Sequence, residues 1–454
     1  MTLTKTVTIT GRAALLTATF LGTFMALLDV SVVSVALPSI RRDLNTDFSA
    51  LQWIVDGYTV ALAAVILSGG TLGDRYGRKL VYLVGLTGFT LASLACGLAP
   101  NLGFLVAARI VQGVAASAVI PGALALLAHA FPEPKERARV MGLWGTVAGA
   151  AFVVGPLVGG PLTDGLGWQT IFLINIPIGV VAVFAGLRGI TESADPEHGA
   201  LDLAGQALSV LWVGALTYAV IEAGRVGLTS PVLAVGGIGL AALATFLVVE
   251  LRAAHPMLPV RFFGRPRFAV AILASFALGF AAYPAAFLIG IYLQQVRGAS
   301  ATAAGVQMLP YVLGNLVAAF LAGRLSARFG ADRVLPVGYL VTAVGLAGFL
   351  LLDATTPFWL VTVVFAVLSF GGGLSITPTN LVGLAGLPGN RSGIASATVN
   401  AARQTGTALG VAALGALVAQ RADFSAGLHL AMGVAALVLL AVTVLTATTL
   451  RGAG

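Results

Sequence analysis

A single cysteine, Cys96, stands in a chain of 454 residues, so no intrachain disulfide and no cysteine-based metal cluster can form. Charge is almost as scarce. Asp, Glu, Lys and Arg together make up 9% of the residues, against about 25% in a soluble domain. No Walker A sequence occurs, which argues against an ATP-driven pump encoded on this chain. The four histidines are dispersed. His198 and His255 fall in connections, His129 and His429 near the ends of apolar runs, and none joins a second ligand, so no metal site is expected. No catalytic triad constellation is present either, and enzymatic activity is not expected. What the chain has instead is apolar surface, with 58% hydrophobic residues. That excess belongs to an all-α polytopic membrane protein, since backbone groups inside a bilayer must be satisfied within each helix.

Crossing about 30 Å of hydrocarbon takes roughly 20 residues. Fourteen runs qualify: 13–36, 52–72, 80–99, 103–127, 140–163, 168–190, 203–223, 231–251, 268–293, 303–323, 334–353, 357–380, 396–420 and 427–449. Turn chemistry at Ala99-Pro100-Asn101 divides the third run from the fourth, and Asp353 to Pro357 divides the eleventh from the twelfth. The polar, weakly basic stretch Met1–Arg12 precedes a run too long for a signal-peptide core and without an A-x-A site, so the first helix is expected to be retained.

The net charge of +8 does not read as a nucleic-acid patch, because the basic residues sit in short connections. With both termini inside, 19 Lys and Arg fall on the cytoplasmic side, Arg403 and Arg391 among them. Five fall outside (Arg41, Arg42, Arg225, Arg297 and Arg421), and Arg109 lies within a span. This bias predicts cytoplasmic termini and an even number of spans. Arg41 and Arg42 run against it and are partly offset by Asp43 and Asp47.

An internal repeat is also visible. Gly70-Thr-Leu-Gly-Asp-Arg75-Tyr76-Gly77 aligns with Gly323-Arg-Leu-Ser-Ala-Arg328-Phe329-Gly330, and Gly85 then falls on Gly338, all at an offset of 253 residues. Six helices plus an extra pair account for that offset, as in transporters built from parallel repeats. The expected division is an N-terminal six-helix bundle at 1–190, a linker with two extra helices at 191–266, and a C-terminal six-helix bundle at 267–454. The polar stretch 191–202 and the basic stretch 252–267 mark its boundaries.

Few residues inside the spans can carry chemistry. Asp29 lies roughly 13 Å below the outer end marked by Pro38, at 1.5 Å rise per residue. A carboxylate at such depth costs several kcal/mol unless paired, hydrated or protonated, which makes it a functional candidate. Asp56, three residues after Trp53, lies in the outer third of helix 2. Arg109 sits about six residues into helix 4 at similar depth, and either Asp56 or Asp29 can supply its carboxylate partner. Protonating that partner would uncover the arginine, a physical basis for coupling protons to a conformational change; the alternative is a static structural pair. Glu222, close to the outer end of helix 7, is explained by snorkelling, and Asp353 by a loop position.

The seven residues Gly73-Asp74-Arg75-Tyr76-Gly77-Arg78-Lys79 form a short charged connector between two spans, and their glycines permit a tight turn. In helix 5, Gly145/Gly149 and Gly155/Gly159 are i,i+4 pairs that allow close helix packing, with Pro156, Gly160 and Pro161 nearby. Gln294, Gln295, Gln307, Asn315, Thr377, Asn380, Asn400 and Gln404 are polar groups inside later spans, facing a hydrated cavity or bonding between helices. Phe24, Tyr58, Trp144, Phe276, Tyr283 and Phe287 are candidates for a drug pocket, or ordinary packing residues. Gln112, Phe24, Tyr58, Tyr283, Gln294, Gln307, Asn315 and Asn380 make the candidate substrate-cavity set.

These residues resemble a known family. Leu28-Asp29-Val30-Ser31-Val32-Val33-Ser34-Val35-Ala36-Leu37-Pro38 resembles the helix 1 motif of the fourteen-helix drug:proton antiporters of the major facilitator superfamily. Gly73–Lys79 is similar to that superfamily's loop between helices 2 and 3, Arg109-Ile-Val-Gln112-Gly113 to its helix 4 motif, and Gly155-Pro156-x-x-Gly159-Gly160 to its helix 5 antiporter motif. Trp168-Gln169-x-Ile171-Phe172-x-Ile174-Asn175-x-Pro177 resembles the helix 6 entry, with Gln169 where the family usually has arginine. The resemblance implies two six-helix halves plus two extra helices, with Gly73, Asp74, Arg75, Gly77, Arg78 and Lys79 as a gating loop. It implies proton coupling through Arg109 and export rather than uptake through the helix 5 motif. The expected activity is proton-coupled export of amphiphilic drugs or antibiotics by alternating access, in a bacterial inner membrane. The proton gradient would be the energy source, with no cofactor. The expected partners are a small amphiphilic substrate, protons and lipid, with no nucleic acid, and the chain is expected to work as a monomer. Export of one endogenous metabolite or self-made antibiotic is the alternative, and a transport-dead sensor or scaffold a remote one. No acid lies well inside helices 9, 10, 12, 13 or 14, which disfavours dications and favours neutral, zwitterionic or singly charged amphiphiles.

Overall fold

The computed structural model describes residues 9–194, 202–253, 256–258, 260–387 and 392–451. Lys5, His198, His255 and Arg391, and parts of both expected domain boundaries, lie outside the described residues. Helices run as α1 Ile9–Asp43, α2 Phe48–Tyr76, α3 Arg78–Gly97, α4 Leu102–Ala130, α5 Pro134–Leu166, α6 Thr170–Gly189 and α7 Leu203–Val226. They continue as α8 Ser230–Arg252, α9 Pro266–Val296, α10 Ala301–Phe329, α11 Ala331–Leu351, α12 Phe358–Ala385, α13 Ser392–Ala419 and α14 Phe424–Arg451. Among the described residues, thirteen helices are long and apolar enough to cross a membrane. The other, α13, has the length but carries Asn400, Arg403 and Gln404 in its first half.

Most helices outrun the apolar runs that announce them. α1 continues through Pro38 to Asp43 instead of ending at 36, α5 starts at Pro134 instead of 140, and α10 reaches Phe329 instead of 323. Hydropathy marks the hydrocarbon slab, whereas the helix ends where a cap or a glycine stops it. Asp47 caps α2 by accepting from the Ala50 N–H at 2.8 Å, Asn101 caps α4 from Phe104 at 3.0 Å, and Asp202 caps α7 from Gly205 at 2.7 Å.

The connector around Gly77 is tighter than a hairpin loop. Gly73 to Tyr76 belong to α2, Arg78 and Lys79 to α3, and only Gly77 interrupts them, at φ 106°. Gly330, 253 residues later, makes the same single-residue link between α10 and α11 at φ 85°. Both need a conformation that glycine alone adopts readily.

Helix packing repeats in the same register. α1 packs on α5 and α6, α2 on α4, and α3 on α4 and α6; eight helices later α9 packs on α13 and α14, α10 on α12, and α11 on α12 and α14. α7 lies along the seam where α2 of one half meets α13 of the other, with α8 outside it. Gln206 and Ser209 of α7 both donate to the Ala64 carbonyl of α2, at 2.9 and 3.2 Å, and Gly224 packs on Ala416 of α13. The extra pair holds a second acid besides Glu222, the buried Glu250 in the last turn of α8. Glu222 itself is paired with Arg225 at 2.7 Å, so an ion pair on its own helix explains it better than snorkelling. Outward-facing apolar side chains such as Leu91, Val111, Leu240, Phe320, Trp359 and Leu437 form the lipid-facing surface.

Candidate functional site

Two ends of the bundle differ in how the halves meet. At the end bearing Asn45, between α1 and α2, the halves are sealed. Gln52 of α2 donates to the carbonyls of Val411 and Ala412 on α13, at 3.1 and 3.0 Å. Gln294 of α9 donates to the Val35 carbonyl of α1 at 2.8 Å. The Phe48 ring packs at a tilt against Phe287 and Phe424, with centroids 5.9 and 6.3 Å away. Asp164, near the end of α5, accepts from the Thr302 N–H at 2.8 Å, the Thr302 hydroxyl at 2.7 Å and the Ala301 N–H at 3.3 Å.

The helix 5 motif explains this closeness. Gly155 and Gly159 face α1, where an added Cβ would collide with Ser31 and Val32. Pro156 and Gly160 face α10: the Pro156 carbonyl occupies the space a Cβ on Gly305 would need, and a Cβ on Gly160 would lie 2.6 Å from the Ala301 carbonyl oxygen. One motif therefore packs within its half and against the other half at once. Gly145 and Gly149 do not share that role and instead line a cavity. Towards the Gly77 end the packing relaxes, and a Cβ on Gly142, Gly145 or Gly323 would meet nothing within 4 Å.

Below the seal lies a cavity of about 360 Å³, lined by α1, α2, α5, α9, α10, α12 and α13. Its wall is mostly apolar, with Ser31, Ser34, Thr59, Tyr283, Tyr311, Asn315, Ser369 and Thr407 as polar points. Of the eight candidate cavity residues, only Tyr283 and Asn315 line it. Gln294 serves the seal instead, and Asn380 donates to the Ile376 carbonyl on its own helix at 3.2 Å. Gln307 keeps a buried carbonyl oxygen without a partner, and Phe24 is half-buried on α1 away from the cavity wall. Gln112 and Tyr58 belong to a second, drier cluster.

That cluster is centred on Asp29, which is fully buried, as are Gln112 and Asn175; Arg109 is 2% exposed. Asp29 forms an ion pair with Arg109. Its other oxygen accepts from the amides of Gln112 at 2.9 Å and Asn175 at 3.2 Å. Arg109 also donates to the Gln112 side-chain oxygen at 2.6 Å and the Ile54 carbonyl at 3.0 Å, and its guanidinium lies 4.6 Å from the Tyr58 ring centroid. Gln112 donates to Ser93 at 2.8 Å. Helices α1, α2, α3, α4 and α6 therefore meet at one charge pair. Close approach of α4 to α2 permits it, since the Tyr58 carbonyl sits where a Cβ on Gly113 would go.

The structure thus selects between the two acids. Asp29 holds Arg109, while Asp56 accepts only from Thr59, at 3.0 Å, and keeps one buried oxygen unpartnered. Asn175 stood in the helix 6 motif without being assigned to the site, and Ser93 was missed by sequence reasoning, a neutral polar residue in an apolar run being its only signal. Asp164 was also missed, because an acid near a helix end looks solvated. The gating-loop residues contact one another and the start of the linker: Asp74 pairs with Arg78 at 2.8 Å, Arg75 lies over Tyr76, and the Lys79 N–H donates to Glu192 at 2.9 Å.

Comparison with known proteins follows the same lines. The model of the Major Facilitator Superfamily matches residues 19–411 and 271–452. The chain is 36% identical over 416 residues to the methylenomycin A resistance protein of Streptomyces coelicolor, covering 91% of this chain and 87% of that one. It is 38% identical over 414 residues to the multidrug resistance protein Stp of Mycobacterium tuberculosis, covering 90% and 76%. Among solved structures, a bacterial homolog of the human lysosomal transporter Spinster, inward-facing and unoccupied, superimposes with a TM-score of 0.70 at 17% identity, covering 98% and 97%. At that identity the likeness concerns the fold.

Proposed function

The chain belongs to the major facilitator superfamily, a transporter and not an enzyme, and from that premise we propose that it is a proton-coupled exporter of amphiphilic drugs or antibiotics. Export is supported by relatives named for resistance to methylenomycin A and to multiple drugs. The first of those names also supports a second reading, a dedicated exporter of one antibiotic.

The observation that carries proton coupling is the buried Asp29–Arg109 pair. A proton on Asp29 removes the counter-charge of an arginine that has little access to water, and the arrangement that encloses it loses its advantage. With the Gly77 end towards the cytoplasm, as the Lys and Arg bias predicts, the sealed end faces outside and the more loosely packed end faces inside. Substrate enters the cavity from the cytoplasm or inner leaflet of a bacterial plasma membrane, and the halves 1–190 and 267–454 rock about it. No cofactor takes part, and a single copy suffices. One proton moving down 100 mV supplies about 2.3 kcal/mol, enough for modest accumulation.

The test is substrate-driven proton flux in proteoliposomes across a panel of unrelated dyes and antibiotics. Asp29→Asn, expressed at normal levels, is expected to lose that flux. Unchanged pH-dependent transport in both Asp29→Asn and Asp56→Asn would overturn proton coupling, and a panel narrowing to one compound would favour the dedicated exporter.

A further inference from the structure

We propose that Arg403 is the recognition cation of the central cavity, and that the exported molecule is an amphiphile carrying an acidic group; this deepens the exporter reading and rests on it. The Lys and Arg count treats Arg403 as one more cytoplasmic charge, but the structure places it well inside α13. Its guanidinium lies 5.9 Å from the centroid of the Tyr283 ring, which forms part of the cavity wall. Thr407, one turn further towards the Asn45 end, also lines the cavity and donates to the Arg403 carbonyl at 3.0 Å.

The contrast with Arg109 is the core of the argument. Arg109 is enclosed by a carboxylate, an amide and a carbonyl. Arg403 donates to Asn400 at 2.5 Å, leaves its Nε–H buried without a partner, and makes no ion pair among the described residues. Its own half has nothing to offer. Residues 260–454 contain three acids, and all are elsewhere. Asp332 is bound to Arg267 near the start of α9, while Asp353 and Asp423 lie in connections at the sealed end. A membrane-embedded arginine without a counter-ion is costly, and such residues face hydrated cavities and mark substrate paths. A guanidinium binds a carboxylate through two parallel N–H bonds, whereas it repels a cation. The cavity that Tyr283 and Thr407 help to line is also walled by Phe152, Leu278 and Phe287, suited to an apolar body.

The experiment uses the full chain in detergent, with 1-naphthylacetic acid and its primary amide as matched probes in calorimetric titrations. The acid is expected to bind at least about tenfold more tightly than the amide, the advantage of a hydrogen bond to a charged group over a neutral one. Arg403→Gln should erase that preference while leaving amide affinity and melting temperature in place, and Arg403→Lys should retain part of it. Acid binding no tighter than amide binding, including no binding of either, overturns the proposal. So does an Arg403→Gln variant that keeps the preference, or one that weakens both probes equally. Dye efflux from everted vesicles reads the exporter function separately. Efflux without acid preference sinks the recognition cation alone, and acid preference without efflux sinks the exporter reading alone.

Discussion

Replacing Asp164 by alanine should unfasten the sealed end. The carboxylate accepts three hydrogen bonds from Ala301 and Thr302, two of them at 2.7 and 2.8 Å. The side chain is exposed, so each of those two is taken at about 1 kcal/mol and the long third is neglected. A loss of about 2 kcal/mol, at 1.4 kcal/mol per factor of ten, shifts the ratio of sealed to unsealed molecules roughly 30-fold. The single cysteine makes the assay clean. Cys96 is buried, and Cys96→Ala removes it altogether. In that background, Ser34→Cys places a thiol on the cavity wall just below the seal. Its labelling by a membrane-impermeant maleimide, applied from the Asn45 side, reads the unsealed fraction. The rate should rise about 30-fold with Asp164→Ala, and less with Asp164→Asn, whose amide oxygen still accepts from a backbone N–H. Thr302→Ala should raise the rate less than Asp164→Ala, because only the hydroxyl bond is lost and both N–H donors survive. An unchanged rate in Asp164→Ala, or a larger effect from Thr302→Ala, would refute the reasoning.

Two further outcomes follow from the same geometry. Gly305→Leu, facing the Pro156 carbonyl, should prevent sealing and abolish transport while the protein still folds. Gly145→Ala, facing open space, should be tolerated; equal transport by both variants would show that the α5–α10 approach is not limiting. At the α11–α12 connection, donors from Thr355 and Thr356 hold the Asp353 carboxyl down at about 2, below the ordinary carboxylate value. Its stabilising contribution is therefore fully present above about pH 3.9 and is lost as pH falls through about 2. Melting curves from pH 5 to 2 should fall less steeply in Asp353→Asn, and identical slopes would contradict the assignment.

The helices were legible because a bilayer leaves little choice: each apolar run had to close its own hydrogen bonds, and only the ends, at Asp43 or Phe329, escaped the pattern. Asp29 and Arg109 were legible because lone charges stand out in apolar sequence. Their pairing was not. Asp29 and Asp56 lie at comparable depth, and the choice depends on which way α1 and α2 are rotated towards α4. Periodicity cannot report that rotation, since lipid and core ask for the same side chains. Most of the candidate cavity set points elsewhere for this reason, with Gln294 turned to the seal and Gln112 to Asp29, while Tyr283 and Asn315 do line the cavity. Arg403 was visible as a residue, but its lack of a counter-ion among the described residues is a three-dimensional fact.

On the proposed coupling, a proton at Asp29 would need no long relay to reach a seal made by other residues. Asp29 and the sealing stretch belong to one continuous helix, Ile9–Asp43. Ser31 packs on Gly155, Ser34 presents its carbonyl to Gly290, and the Val35 carbonyl accepts from Gln294, all within two turns of Asp29. The interior is close-packed, with Val32, Val33, Val35 and Ala36 buried, so α1 cannot shift relative to α4 without moving those contacts. Releasing Arg109, as proposed, would therefore loosen both the packing of α1 on α4 and the contact of α1 with α9 at the sealed end. On the proposed coupling, a charge pair on α1 lies one or two turns from the seal on the same continuous helix, so a change of one proton at Asp29 would act directly on the sealing surface.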